Sequence, residues 1–259
     1  MLKKQRNSLI RIVVRWGAIP ISLFAISILL SSFQVIRVET VTFYSSDSLL
    51  ITADEYTVSD ELPYIILFHE QGASRGEFKT TARRLCKMDY NCLAVDLRNG
   101  GSSGFVSNET AKRCRENRCA TGVNDITMDM RSAIEYAFQK SDKGVILFGS
   151  GANGSLSLKL AAESELVTAV VALSPGEYFL PGLSIHDTIS NLRKPVFITS
   201  SRTEVPYMEQ LVSGMDEQYV TVFKPDLGEG GRGTASLTSE NEHNSEYWLA
   251  LLLFFKDLI

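Results

Sequence analysis

The chain predicts an α/β domain: a doubly wound, mostly parallel sheet opened by an antiparallel hairpin and preceded by one apolar N-terminal helix. Three observations carry that prediction. Six continuous apolar runs of strand length alternate with helix-length segments, two stretches of alternating apolar and polar residues precede them, and an uncharged apolar run opens the chain behind a basic cluster.

The N-terminal run comes first. Lys3, Lys4, Arg6, Arg11 and Arg15 lie ahead of Trp16, no charged residue occurs from Trp16 to Ile36, and the first acidic residue is Glu39. Gly17 onward through Leu30 approaches the roughly 20 apolar residues a spanning helix needs. With the basic residues in front, the N-terminus is expected in the cytoplasm and the rest of the chain across the membrane. Residues 1–36 are therefore expected to form a cytoplasmic basic N-terminus and a signal anchor, and residues 37–259 a single folded domain. The competing expectation is a cleaved signal peptide that leaves a secreted or periplasmic domain. Only Ser31 and Ser32 offer a weak cleavage site, and there is no A-x-A pattern.

Charge excludes one class of partner. Of the 26 Lys and Arg residues, 21 lie beyond the N-terminal cluster against 30 Asp and Glu, so the body is acidic and carries no basic footprint for nucleic acid. The membrane is the expected partner, through the N-terminal helix. Cysteines point to the same compartment. Cys86 and Cys92 are separated by five residues and Cys114 and Cys119 by four, so two short-loop disulfides are reasonable in an oxidising space. Three pairings of four cysteines exist, and the local one is preferred because each pair flanks a turn. Zinc is disfavoured, since neither spacing is C-x-x-C and no histidine is near.

The hairpin is expected from Arg37–Phe43 and Leu49–Tyr56 around Ser45-Ser-Asp-Ser. Buried parallel strands follow at Tyr64-Ile-Ile-Leu-Phe-His, Cys92-Leu-Ala-Val-Asp, Val145-Ile-Leu-Phe-Gly, Val167–Leu173, Pro195-Val-Phe-Ile-Thr-Ser and Tyr219–Phe223. Helices are expected over residues 76–88, 124–139, 153–165, 205–215 and 242–258. The polar stretch 99–123 predicts a long loop over the site edge.

Ligands of open α/β sheets gather at the carboxyl ends of the strands. There, Leu147-Phe-Gly-Ser-Gly-Ala-Asn-Gly-Ser-Leu is a strand followed at once by a Gly-rich turn and a helix, the setting of a nucleophile elbow. With the Phe68-His-Glu-Gln-Gly-Ala-Ser-Arg-Gly-Glu-Phe turn, Cys92-Leu-Ala-Val-Asp-Leu-Arg-Asn-Gly-Gly and Ala172-Leu-Ser-Pro-Gly-Glu-Tyr, the chain from about Pro63 onward resembles the α/β-hydrolase superfamily, in particular its dienelactone-hydrolase-like members. The resemblance implies a Ser nucleophile in G-x-S-x-G, an acid after a later strand and a His near the end.

Carried onto this chain, it puts Gly151 at the nucleophile position, Glu204 at the acid position and Arg232 at the base position. Glycine has no nucleophile, and arginine stays protonated and cannot accept the proton of a serine. Ser150 is the alternative nucleophile, one register away. Opposite charges predict a Glu204–Arg232 ion pair across the substituted triad. The oxyanion hole would use the backbone amides of Gln71 and Ala152, which side-chain replacement leaves in place, and His69 is expected either to line the pocket or to fix its turn. His186 and His243 are expected to be exposed. No cofactor is implied, and three separated histidines with no H-E-x-x-H predict no metal site. The functional expectation is a membrane-anchored, extracytoplasmic hydrolase-fold protein that binds, with a small carboxylate or ester or an envelope protein as partner. The alternative is an active esterase using Ser150.

Overall fold

Alternate residues of one strand face opposite sides of a sheet, so a strand covered by helices on both faces must be apolar throughout. The computed structural model, which describes residues 35–258, has that arrangement. The strands are β1 (Arg37–Tyr44), β2 (Leu50–Thr57), β3 (Tyr64–Phe68), β4 (Asn91–Val95), the short ribbon β5 (Ser102–Ser103) and β6 (Val106–Ser107), β7 (Val145–Ser150), β8 (Val167–Leu173), β9 (Val196–Thr199) and β10 (Val220–Phe223). Eight form one sheet in the order β1-β2-β4-β3-β7-β8-β9-β10, with β5 and β6 paired separately. β1 and β2 pair antiparallel from Arg37↔Thr57 to Tyr44↔Leu50, β2 runs antiparallel to β4, and every later neighbour is parallel.

The helices are α1 (Lys79–Cys86), α2 (Glu109–Asn117), α3 (Val123–Ser141), α4 (Gly151–Glu163), α5 (Ile185–Ile189), α6 (Val205–Val212) and α7 (Asn244–Asp257). Ile66, Phe68, Leu147 and Val170 face a core closed by α3 to α6, whereas Ile65, Leu67, Phe148 and Val171 face a second core closed by α1 and α7. Each parallel strand feeds both cores, which is why apolar residues occupy successive positions along its run.

Two expectations are corrected. The stretch 99–123 is not a loop throughout: it contains β5, β6 and α2, whose start is capped by Asn108 Oδ1 accepting from the Ala111 amide at 2.7 Å. The helix is strongly polar, so periodicity conceals it, and Thr110 Oγ1 ties it to the sheet by accepting from the Thr52 amide at 2.9 Å. Cys86 and Cys92 are buried free thiols rather than a disulfide: Cys86 Sγ points at Tyr56 O and Cys92 Sγ at Ala82 O. Cys114 and Cys119 are disulfide-bonded. Residues 17–34 of the expected membrane span lie outside the described residues. Among the described residues no helix is long and apolar enough to cross a membrane.

Candidate functional site

The strand order reverses between β3 and β7: the chain leaves β3 toward β4 on one side, and β7 toward β8 on the other. Such a switch opens a crevice at the carboxyl ends. The turn after β7 is built for close packing. A Cβ on Gly149 would lie 2.5 Å from Ser157 Oγ and 2.7 Å from Asn153 O, so the helix can sit this tightly on the strand only against glycine. Gly151, the first residue of α4, has φ +56°, in the left-handed region. Ser150 is the last residue of β7, with an extended backbone and no exposed surface.

A side chain at 151 would meet Glu70. A Cβ built there would lie 2.7 Å from Glu70 Oε1 and 2.9 Å from its Cδ. The carboxylate thus fills the space at the apex of the elbow. Its other oxygen, Oε2, accepts from Ser150 Oγ at 3.4 Å. Glu70 is positioned through its backbone: its amide donates to Glu77 Oε2 at 2.9 Å, and its carbonyl accepts from His69 Nδ1 at 2.8 Å and from the Ala73 amide at 2.9 Å.

Arg232 closes the cluster from the loop between β10 and α7. Its Nη1 bonds Glu70 Oε1 at 2.5 Å and its Nε bonds Glu204 Oε1 at 3.0 Å, so the expected Glu204–Arg232 ion pair is formed and a second carboxylate joins it. Glu204 closes a one-turn 3₁₀ helix directly after β9. Its Oε2 accepts from the hydroxyls of Ser174 and Ser201, each at 2.8 Å. Ser174 Oγ in turn accepts from the Gly233 amide at 2.8 Å. Partial burial works against the Arg232 charge, but the Tyr178 hydroxyl and Glu70 outweigh it and hold its pKa above the ordinary guanidinium range. The guanidinium therefore stays charged and cannot serve as a base.

None of the three histidines faces this cluster. His69 is fully buried: Nδ1 donates to Glu70 O, and Nε2 accepts from the Leu97 amide at 2.9 Å with Asn108 Nδ2 at 3.1 Å. Burial pushes its pKa down to about 4. Of its two expected roles, it fixes the turn and does not line a pocket. His186 and His243, expected to be exposed, are half-buried. His186 Nδ1 donates to Leu211 O at 3.0 Å, and the His243 ring lies against Gly228. Gln71 is exposed in the turn after β3 and Ala152 half-buried in the first turn of α4; they follow Glu70 and Gly151 directly.

Sequence reasoning missed Glu70, Tyr178, Ser174 and Asn153, whose Nδ2 donates to His69 O at 2.6 Å and ties α4 to the β3 turn. The only advance signal was a carboxylate at the end of an apolar strand. A cavity of about 440 Å³ is lined by residues that include Gly176, Glu177 and Leu180 of the loop after β8 and His186, Tyr207 and Gln210 of α5 and α6. Tyr178, whose hydroxyl lies 3.4 Å from Arg232 Nη2, belongs to the loop that forms its rim. Among the described residues no group of three His, Cys, Asp or Glu side chains could hold a metal.

Strand order, the elbow after β7 and the flanking helices define the α/β-hydrolase fold. Solved structures of that fold are similar over most of the chain. An esterase from Pyrococcus furiosus shares 16% identity over 94% of this chain and 95% of its own, with a TM-score of 0.64. A dienelactone hydrolase from Anabaena variabilis shares 14% over 87% and 99%, with a TM-score of 0.66. An acylaminoacyl peptidase from Pyrococcus horikoshii shares 15% over 89% of this chain but 43% of its own, with a TM-score of 0.63. No family model matches, and neither does any curated protein.

Proposed function

We propose that this chain is a membrane-anchored, extracytoplasmic member of the α/β-hydrolase fold that acts by binding, its hydrolytic machinery replaced by an ion-pair cluster. One observation carries the reading: the Glu70 carboxylate stands 2.7 Å from where a side chain at position 151 would begin, and Arg232 holds it there. Attack at a carbonyl needs a nucleophile at the apex and a neutral acceptor for its proton. Glycine and a guanidinium supply neither. Substitution at both positions, with the glycines that shape the elbow kept, supports loss of the chemistry and retention of the scaffold.

The cluster also selects the ligand. Arg232 is shared between two carboxylates, so the cluster carries a net negative charge and a carboxylate ligand would have to displace Glu70 or Glu204. An uncharged ester or similar apolar-bodied molecule suits the cavity rimmed by the Tyr178 loop, with the Gln71 and Ala152 amides as donors. Anchoring draws support from the five basic residues ahead of the apolar run, and the extracytoplasmic placement also from the Cys114–Cys119 disulfide.

The alternative, an esterase using Ser150, rests on the 3.4 Å contact of its hydroxyl with Glu70. Against it stand the burial of Ser150 and the absence of a histidine from the cluster. A fluorophosphonate probe incubated with the full chain separates the two. No adduct is expected. An adduct that disappears in Ser150→Ala would establish the esterase.

A further inference from the structure

The carboxyl edge of the sheet carries the site; the amino edge carries a different surface. β1 runs antiparallel to β2 and β2 antiparallel to β4, so β1 runs the same way as the parallel strands and enters the domain at their amino ends. α1 and α7 both run back from the carboxyl edge toward the amino edge. At the end of α7, Asp257 and Leu258 line a cavity with Pro63, Tyr90, Gly144 and Pro195, all at strand starts.

Two features meet there. Tyr247, Trp248, Leu251, Phe254 and Phe255 fill the core beneath α7, yet the opposite stripe, at i, i+3 and i+4, is also apolar: Leu249, Leu252 and Leu253 are 59%, 46% and 54% exposed. Lys256 follows one turn on. A helix apolar on both faces is unusual at a water-exposed surface. Beside it, α1 and its C-cap expose Lys79, Arg83, Arg84 and Lys87 within nine positions and carry no acidic residue, in a body that is acidic overall. Arg84 stacks on Trp248 of α7 at 4.0 Å from the ring centroid, so the basic and apolar faces adjoin. The face also carries acidic residues: Glu246 and Asp257 lie on α7, seven residues before and four after Leu253, with Asp60, Glu61 and Asp89 in the loops before strands, and Glu246 is engaged by the Asp226 amide.

The chain enters beside this surface. Ile36 packs on the same core that α1 and α7 close. Val38 pairs with Tyr56, whose ring lies under Arg83 at 5.8 Å. Val35, the first described residue, is 79% exposed.

The geometry points to the α1–α7 face as a bilayer-docking surface: Leu249, Leu252 and Leu253 enter the headgroup boundary while Arg83, Arg84, Lys87 and Lys256 contact lipid phosphates. This rests on the anchored reading above. Interfacial helices combine these elements, an apolar stripe and flanking basic side chains.

The test attaches an environment-sensitive fluorophore at Leu253→Cys in the full chain reconstituted into vesicles of phosphatidylcholine mixed with phosphatidylglycerol; Tyr207→Cys on α6, across the sheet, is the control. The expected result is a blue shift and quenching by tail-labelled nitroxide lipid at 253 and neither at 207, with Arg83→Glu and Lys87→Glu together removing the dependence on phosphatidylglycerol. A probe at 253 as water-exposed as the one at 207 overturns the proposal. So does a shift that tracks protein concentration and not lipid, which would mark contact with a second copy. Anchoring is read separately, by resistance of the full chain to alkaline extraction from membranes. If the chain is released there, the anchored reading fails, and the shift at 253 on adding vesicles still decides the surface.

Discussion

Arg98 and Arg232 are each held between two carboxylates, as Arg75 is between Asp54 and Asp96, and the two do opposite things. Arg98 is fully buried: Nε and Nη2 fork onto Asp129 at 3.0 and 2.6 Å, Nη1 and Nη2 reach Asp47 at 2.7 and 3.0 Å, and Nη1 also bonds Ala120 O at 3.2 Å. It joins the hairpin turn, the β4 end and α3 in one clamp. Arg232 makes single contacts to Glu70 and Glu204 and leaves its side chain 51% exposed. The first pair of carboxylates is part of the fold; the second occupies a site. Burial decides which, because an unpaired charge costs several kcal/mol in the interior and little at the rim.

That difference can be broken by experiment. Arg98→Ala strands the buried Asp129 carboxylate and should cost about 3–5 kcal/mol of stability, measured by chemical denaturation. A loss under about 1 kcal/mol would remove the contrast between the two arginines. The next largest effect is on acid stability. His69 takes up a proton near 6.5 when unfolded but only near 4 when folded, so its contribution is complete above pH 6.5 and is lost as pH falls toward about 4. Over that window the loss should approach about 3 kcal/mol, from about 1.4 kcal/mol per pKa unit. His69→Gln should flatten this part of the stability profile.

At the site the effects are smaller. Gly151→Ser puts a side chain on left-handed backbone and against Glu70, and should cost about 1–2 kcal/mol. Adding Glu70→Ala should return part of it, and a double-mutant cycle that shows no coupling would mean that Glu70 does not occupy the apex. Arg232→Ala should cost less than about 1 kcal/mol, because a half-exposed ion pair contributes little to folding.

The parallel strands were legible because apolar residues follow one another along each run with few breaks, and the elbow because Gly149, Gly151 and Gly154 leave few other readings of a strand running directly into a helix. α2 was not legible: its only buried residues are Thr110, Ala111 and Cys114, so no apolar periodicity betrays it. Nor was the state of Cys86 and Cys92, whose spacing is only one residue longer than that of the bonded pair while their thiols point at different carbonyls. The Glu204–Arg232 pair could be anticipated because the sequence resemblance assigned the acid and base positions to these two oppositely charged residues. Glu70 could not. Its role depends on β3 and β7 lying side by side although Glu70 and Ser150 are 80 positions apart in sequence, and on glycine at 151 leaving room that a carboxylate can fill.

The most direct measurement is turnover of a p-nitrophenyl ester by three proteins: the natural sequence, Ser150→Ala, and Glu70→Ala with Gly151→Ser and Arg232→His combined. The natural sequence should match Ser150→Ala and buffer alone, and only the combined variant, with apex cleared, nucleophile restored and imidazole in place, should rise above them. Turnover by the natural sequence that Ser150→Ala abolishes would contradict the account.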